Sequence, residues 1–535
     1  MGIPSYFSQV IKKYATIIRS MEFFKDINID HLFMDCNSII YDSVYELEYN
    51  GDDSTFENKI IDKVIEKIEN YVDLISPKKT LYIAFDGVEP FAKMEQQRTR
   101  RHKTHFISQI NFEGLDIKQK WSTSAITPGT QFMNKLSEKI EYAFSFLEKK
   151  YNLQSIVVTT SKEPGEGEHK LFEYLRKNDY LNDIVSLYGL DSDLIMLSIY
   201  HLQFCKNIYI FREAPEFLKN QLPIQMKNEK DVYFLDILHL TNCIINEMSC
   251  VDNAMNRAFD YIFLCFFLGN DFLPHFPAMN IRTHGIDTLL SIYNSTVGKI
   301  PNNYIIKKNG SISWKNLRTL ISIVAKNEKQ HLLNEYEHRK RFDNFKFPET
   351  TSKEKDTLFQ NTPIIYRTQE KYIEPTIPGW NSRYYKTLFK NESDKEFIKK
   401  VSINYLEGLE WVFKYYTKGC VDWKWKYNYH YPPLLSDLLR FIPNNEFSFI
   451  ENNRDLRKYE NKSFTDTLQL CYVLPKKSFH LLSKKGLEIT KKNSEYYVDS
   501  FEFQWAFCRF FWESHVLLPE IKTTTLENWN MVLVN

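Results

Sequence analysis

Four times within the first 200 residues a short apolar run ends on acidic residues and gives way to a helix-patterned segment. Leu32-Phe33-Met34 ends on Asp35, Thr80 to Phe85 ends on Asp86, Ser155 to Thr160 runs into Glu166 and Glu168, and Ile184 to Tyr188 runs into Asp191 and Asp193. Apolar runs of this length read as buried strands, and strands alternating with helices predict an α/β fold with a mostly parallel central sheet flanked by helices. Ligands of such sheets bind beyond the carboxyl ends of the strands, which is where these acids fall. Asp271 joins them on separate grounds: an apolar helix is stopped by Gly269 and barred from continuing by Pro274, so Asp271 sits on a fixed corner.

Taken singly, each acid is compatible with a helix cap or a solvated loop. Together, Asp35, Asp86, Glu166, Glu168, Asp191, Asp193 and Asp271 would repel one another and raise each other's pKa, so a cluster of them implies divalent cations. Oxygen-only ligands favour Mg2+ or Mn2+ over zinc. Two such ions roughly 4 Å apart suit in-line attack of water on a phosphodiester. Glu166/Glu168 and Asp191/Asp193 are spaced i, i+2, which in extended chain aims both side chains at one face.

Directly after Asp86 comes a cationic helix in which Lys93, Gln97, Arg100 and Arg101 share one face at helical spacing. The whole chain carries 69 Lys+Arg against 68 Asp+Glu, so no global field points to a polyanion, and any such site must be local. Residues 93–103 supply it, with Lys93, Arg98, Arg100, Arg101 and Lys103 against Glu95, a local excess of four. The eight cysteines are scattered without a C-x-x-C pair, which argues against a disulfide framework or zinc site and for a reducing compartment. The start of the chain lacks signal-peptide character, and the longest apolar run, Tyr261 to Leu268, is too short to span a bilayer, so a soluble intracellular protein is expected.

The pattern elsewhere is coarser. Helices are predicted over 58–76, from 131 to about 150, from Lys170 and over 314–341, with 102–125 polar and irregular or a helical protrusion and 342–365 loop-like. This divides the chain into an α/β domain that carries the acidic set (1–300), a helical and charged connector (301–365) and an aromatic-rich block (366–535) holding Tyr384-Tyr385, Tyr405 to Trp411 and Trp423 to Pro433.

These motifs closely resemble the eukaryotic 5′-to-3′ exoribonuclease family. The likeness lies in Met1-Gly2-Ile3-Pro4, Asp35-Cys36-Asn37, Phe85 through Arg101, Ile126 to Thr130, Pro164 to Lys170, Tyr188 to Met196 and Leu268 to Pro274, in order over about the first 290 residues, and again in Tyr405 to Asp437. The resemblance implies a PIN/flap-nuclease-like core and a two-ion, Mg2+-dependent enzyme, with Mn2+ able to substitute. Such an enzyme removes nucleotides one at a time from single-stranded RNA bearing a 5′-monophosphate, as in mRNA decay in the cytoplasm, with a nuclear location also compatible. It assigns the seven carboxylates to the metals and Lys93, Gln97, Arg100 and Arg101 to the terminal phosphate. It assigns base stacking to Tyr41 and to one of Trp423 and Trp425, the choice between the two tryptophans staying open. Tyr41 stands where the family usually has histidine, keeping a stacking surface but losing a protonatable imidazole. The resemblance reads as a compact, catalytic-core version, expected to be monomeric. Two other readings compete: a flap-endonuclease-like DNA enzyme, against which the segment after Asp271 lacks a Gly-rich helix-hairpin-helix, and a catalytically silent RNA-binding scaffold, against which the acidic set is complete.

Overall fold

A computed structural model describes residues 3, 5–110, 121–189, 191–213, 232–392, 394–452 and 461–534. Its central sheet has seven strands: β1 (Ile18–Ser20), β2 (His31–Asp35), β3 (Thr80–Ala84), β4 (Ser155–Thr159), β5 (Ile184–Tyr188), β6 (Asn207–Glu213) and β7 (Val232–Asp236). They lie in the order β1-β7-β6-β5-β2-β3-β4. From β6 to β4 every pair is parallel, while β7 and β1 add an antiparallel edge. The mostly parallel sheet is therefore as expected, but the four strands read from the sequence are joined by three more. β1 is too short to show alternation, whereas β6 and β7 do alternate, sending Ile208, Ile210 and Leu235 to one core and Phe211 and Phe234 to the other.

The same alternation buries both faces of the central strands. Phe33, Tyr82 and Leu187 face one core, and Leu32, Met34, Leu81 and Ile83 face the other. From β2 the chain proceeds outward through β3 and β4, then returns to the opposite side of β2 for β5 and β6. The strand order thus reverses beside β2, and the carboxyl ends of β2 and β5 border the crevice that this topology creates.

The flanking helices start on recognisable caps. The helix Asp53–Ile75, longer than expected at its start, is capped by the Asp52 side chain, and Gln131–Phe144 by the Thr130 hydroxyl accepting from Met133 N. The latter stops short of residue 150 because Phe146 adopts a left-handed φ of 62°. The cationic helix runs from Phe91 to Gln109, so residues 102–109 are the helical part of the stretch read as irregular or a helical protrusion; residues 111–120 of that stretch lie outside the described residues. Phe91 and Met94 seat this helix on Phe464, Leu468 and Tyr472.

Beyond residue 300 the expected single helix is two, Trp314–Lys326 and Glu328–Lys340. The break lets the buried Glu328 carboxylate accept from Leu435 N at 2.5 Å and Ser436 N at 3.0 Å, satisfying the start of the helix Leu435–Phe441. Residues 342–365 are not simply loop: Thr351 and Glu354 form a reciprocal capping box that starts the helix Ser352–Gln360. The long helix Lys395–Lys418 lays Tyr405, Trp411 and Tyr415 into the same apolar core as the sheet, so the aromatic-rich segment packs against the nuclease-like half as expected. No described helix is long and apolar enough to cross a membrane.

Candidate active site

All seven sequence-selected carboxylates converge at the carboxyl end of the sheet. Asp35, Asp86 and Glu168 form one group whose ligand oxygens lie within 4.8 Å of one another, and Asp191, Asp193 and Asp271 form a second on the same criterion. Glu166, Glu168 and His169 form a third, which contributes the single nitrogen donor of these groupings.

Local backbone chemistry holds the first group together. The Asn37 amide donates to the Asp86 carboxylate and accepts from Asp86 N at 3.1 Å, joining the ends of β2 and β3. Gly167 N donates to Asp86 Oδ1 at 2.7 Å. A β-carbon at Gly167 would stand 2.5 Å from Asp35 Oδ1, so only glycine admits that carboxylate. Behind it, Gly87 N donates to Gly165 O at 2.9 Å and Gly165 N to Val88 O at 2.8 Å, zipping the turn that carries Glu166 to the segment after β3. Lys170 Nζ donates to Phe85 O at 2.7 Å and Thr160 O at 2.9 Å, tying β3 to β4 at the same level. In the second group, the Asn270 side chain accepts from Phe272 N and Leu273 N, both at 2.9 Å, and fixes the turn that presents Asp271. Gly269 takes the positive φ of 87° that the corner requires.

Burial and mutual repulsion dominate the electrostatics. Burial, then Asp86 and Asp191, push the Asp35 carboxyl well up; burial, then Glu166 and Asp35, do the same to Glu168, and burial with Asp191 and Asp271 to Asp193. Asp191 and Asp271 go the other way and lie below the ordinary value; for Asp271 burial would raise it, but the Lys93 ammonium at 2.8 Å holds it down. Asp35 Oδ1 and Asp193 Oδ1 are buried without a hydrogen-bond partner among the described residues. Orphaned carboxylate oxygens, one in each group, in an almost all-oxygen donor set fit hard divalent cations.

The cationic helix divides between two duties. Lys93 Nζ bridges Glu166 at 2.5 Å and Asp271 at 2.8 Å, reaching both sides of the acidic cluster. Gln97 donates to Glu89 at 2.8 Å and accepts from Gln469 at 3.3 Å. The Arg101 guanidinium reaches the Ile126–Thr127 turn, and burial, with the neighbouring Arg100 charge, lowers its pKa. Arg100 is exposed, and its charge is felt at Asp86, Glu89 and Asp271. Arg98 and Lys103 turn the other way: Arg98 donates to Pro519 O at 3.0 Å and lies over the Tyr472 ring, and Lys103 donates to Trp512 O at 2.6 Å. The local excess of positive charge counted along the sequence is therefore shared between the site and the packing of the C-terminal segment.

The two tryptophans separate clearly. Trp425 is 4% exposed and stacks on Trp411 with centroids 5.0 Å apart, while Gly408 leaves the room its ring needs, so it has no free face for a base. Trp423 is half-buried, and its carbonyl accepts from Phe91 N at 2.9 Å, which places it at the start of the cationic helix. Tyr41 is half-buried one turn beyond Asn37 on the helix Asn37–Glu46.

Several contributors carry no role in the sequence reading. Asn37, His169 and Lys170 lie within its motifs and could have been singled out. Tyr415 could not: its hydroxyl donates to Glu166 at 2.6 Å and its ring stacks on His169 at 3.7 Å across some 250 positions of chain. Glu89 is buried beside Gln97, and burial with Glu166 and Asp86 raises its pKa well above the ordinary value.

The chain is similar to several known proteins. The chain is 25% identical to 5′-3′ exoribonuclease 2 of Gallus gallus over 97% of its own length and 68% of the relative's. It is 26% identical to 5′-3′ exoribonuclease 1 of Schizosaccharomyces pombe over 98% and 48%, and 25% identical to that of Saccharomyces cerevisiae over 90% and 40%. It thus spans about half or less of the length of the two yeast relatives. The profile of the XRN 5′-3′ exonuclease N-terminus matches residues 1–214, and that of the Xrn1 helical domain matches 252–376 and 371–533. With most of its length matched by these two profiles, the chain belongs to the XRN 5′-3′ exonuclease family.

Proposed function

We propose that this chain is a 5′-to-3′ exoribonuclease that hydrolyses RNA with a 5′-monophosphate end, stepwise, to nucleoside 5′-monophosphates. The observation that carries this reading is the junction made by Lys93. One ammonium links Glu166 to Asp271, so the acidic groups and the cationic helix form one continuous site.

In this reading Asp35, Asp86 and Glu168 hold one Mg2+ and Asp191, Asp193 and Asp271 a second, with Mn2+ an acceptable substitute. When bound, the ions supply a Lewis acid for the phosphodiester and lower the pKa of water so that it can attack at neutral pH. The chain's own groups do the rest. Arg100 and Arg101 present guanidinium donors to the terminal phosphate, and Gln97, oriented by Glu89 and Gln469, adds a neutral donor. Lys93 sets the terminal phosphate at a fixed distance from the acidic groups, so that the first phosphodiester is the one presented. Tyr41 and Trp423 provide stacking faces for the leading bases, whereas Trp425 is packed on Trp411. Tyr415 and Asn37 keep Glu166 and Asp86 in place.

The test is an end-group comparison. Matched RNAs with 5′-monophosphate, 5′-triphosphate or 5′-hydroxyl ends are incubated with the protein and Mg2+, and rapid decay of the monophosphate alone is expected. Equal decay of all three would sink the phosphate-pocket assignment. A flap-endonuclease-like activity is disfavoured by the segment after Asp271, which runs beneath the helix Lys395–Lys418, where Tyr405 donates to Pro274 O at 3.0 Å. Cleavage of a 5′-flapped DNA would revive it. A monomer acting in the cytoplasm accords with this reading.

A further inference from the structure

A second concentration of positive charge lies in the C-terminal block. Between Lys476 and Lys492 six lysines stand against Glu488 alone, a local excess of five in a chain whose net charge is +1. Lys476 is paired with Asp499 at 2.7 Å. Lys477, Lys484, Lys485, Lys491 and Lys492 are exposed, and none has a carboxylate within ion-pairing distance among the described residues.

The helix Lys484–Lys492 holds four of these lysines on one side. Positions 484, 485, 488, 491 and 492 share a face at 3.6 residues per turn, with Glu488 its single acid, while Gly486, Ile489 and Thr490 opposite are buried. The Ser483 hydroxyl caps the helix by accepting from Gly486 N at 3.2 Å, and Ile489 packs in the same core as Phe91 and Met94 of the cationic helix. The lysines therefore stand on a fixed support.

This face continues from the residues assigned to the terminal phosphate. His105 follows Arg101 by four residues, one turn further along the same side of the cationic helix. Burial, then the Lys477 charge, lower the His105 pKa, which places Lys477 beside that turn. Leu481, between Lys477 and Lys484, packs against the core that contains Ile126, whose carbonyl accepts from Arg101. A positive surface thus runs from Arg101 past His105 and Lys477 to the lysine helix. A lysine face by itself is ordinarily a solvated surface. Continuity with a phosphate pocket is what gives this one a partner.

We infer that the lysine face is a docking track for single-stranded RNA downstream of its 5′ end, holding backbone phosphates by charge and reading no bases. The inference rests on the exoribonuclease reading, which supplies the strand. RNA whose 5′ phosphate is seated at Arg100 and Arg101 has its later nucleotides outside the pocket, and each one-nucleotide advance requires contacts that slide. Lysine ammonium groups, point charges without bidentate geometry, allow that.

The test compares binding of 5′-monophosphorylated RNAs of about 4 and about 30 nucleotides, without divalent cations so that neither is cut. The fourfold variant Lys484→Ser, Lys485→Ser, Lys491→Ser, Lys492→Ser should bind the long RNA at least about tenfold more weakly at roughly 0.1 M salt, with a log K against log salt slope shallower by about 2 to 3, because each lost contact removes about 0.7. The short RNA should bind within about twofold of wild type. Arginine at the same four positions should restore long-RNA binding, which shows that charge is what acts. Equal loss on both lengths, unchanged binding of the long RNA, or no rescue by arginine would overturn the inference. Lysine-dependent binding of long RNA by a protein that releases no mononucleotides with Mg2+ would instead overturn the exoribonuclease reading and leave the track standing, so the two failures are distinguishable.

Discussion

Gly167→Ala separates a constraint of the active site from one of the fold. Gly167 opens a helix and its φ is not positive, so on backbone grounds alanine would be neutral or stabilising there by up to about 1 kcal/mol. The added β-carbon, however, would stand 2.5 Å from Asp35 Oδ1 and 3.4 Å from Asp86 Oδ1. Ordinary contact at this position needs about 3.4 Å or more, so the Asp35 carboxylate must move by roughly 1 Å, and a displacement of that size at a reacting centre costs about 100-fold in rate. Some overpacking energy, about 1–3 kcal/mol, accompanies it. The assay is release of the labelled 5′ nucleotide from monophosphorylated RNA across an Mg2+ titration, with thermal unfolding of the same preparation. The expected result is a folded protein, cut about 100-fold in turnover and requiring more Mg2+. A variant with wild-type turnover and Mg2+ dependence would refute the claim that Asp35 holds a metal in this position.

Three further outcomes are expected. Arg100→Ala should reduce the preference for 5′-monophosphate over 5′-hydroxyl RNA by about 10- to 100-fold, the equivalent of one charge-assisted hydrogen bond, measured as the ratio of kcat/KM values. Trp425→Ala should cost about 3–5 kcal/mol in denaturant unfolding because it empties a buried stack, whereas Trp423→Ala should leave stability near wild type and raise KM for RNA. Chelation of divalent cations should stop turnover and lower Tm, since the clustered carboxylates then repel unscreened, and restored Mg2+ should recover both; a Tm that ignores Mg2+ would count against a metal centre.

Much of the site was legible because its parts are encoded locally. A strand that ends on Asp35 or Asp86, the alternating acids of Glu166/Glu168 and Asp191/Asp193, and the Gly269 stop before Asp271 each need only a few consecutive residues. Parallel topology then carries them to one edge of the sheet. The helix spacing of Lys93, Gln97, Arg100 and Arg101 is likewise a local property. The strands β6 and β7 could have been found from their short apolar runs, Ile208 to Phe211 and Val232 to Leu235, and the helix Ser352–Gln360 from its capping box.

The sequence by itself determined the fold class, the acidic set and the cationic face, since periodicity and strand-end position are properties of short segments. Tertiary structure alone decided how that set divides into the groups around Asp35, Glu166 and Asp193, because the grouping depends on which strands are neighbours. It also decided that Lys93 bridges them while Arg98 and Lys103 face away, that Trp425 is buried under Trp411 while Trp423 is not, and that Tyr415 supports Glu166. These contacts join residues far apart in the chain. Whether a side chain meets a carboxylate, another ring or water is settled only when distant segments pack against one another.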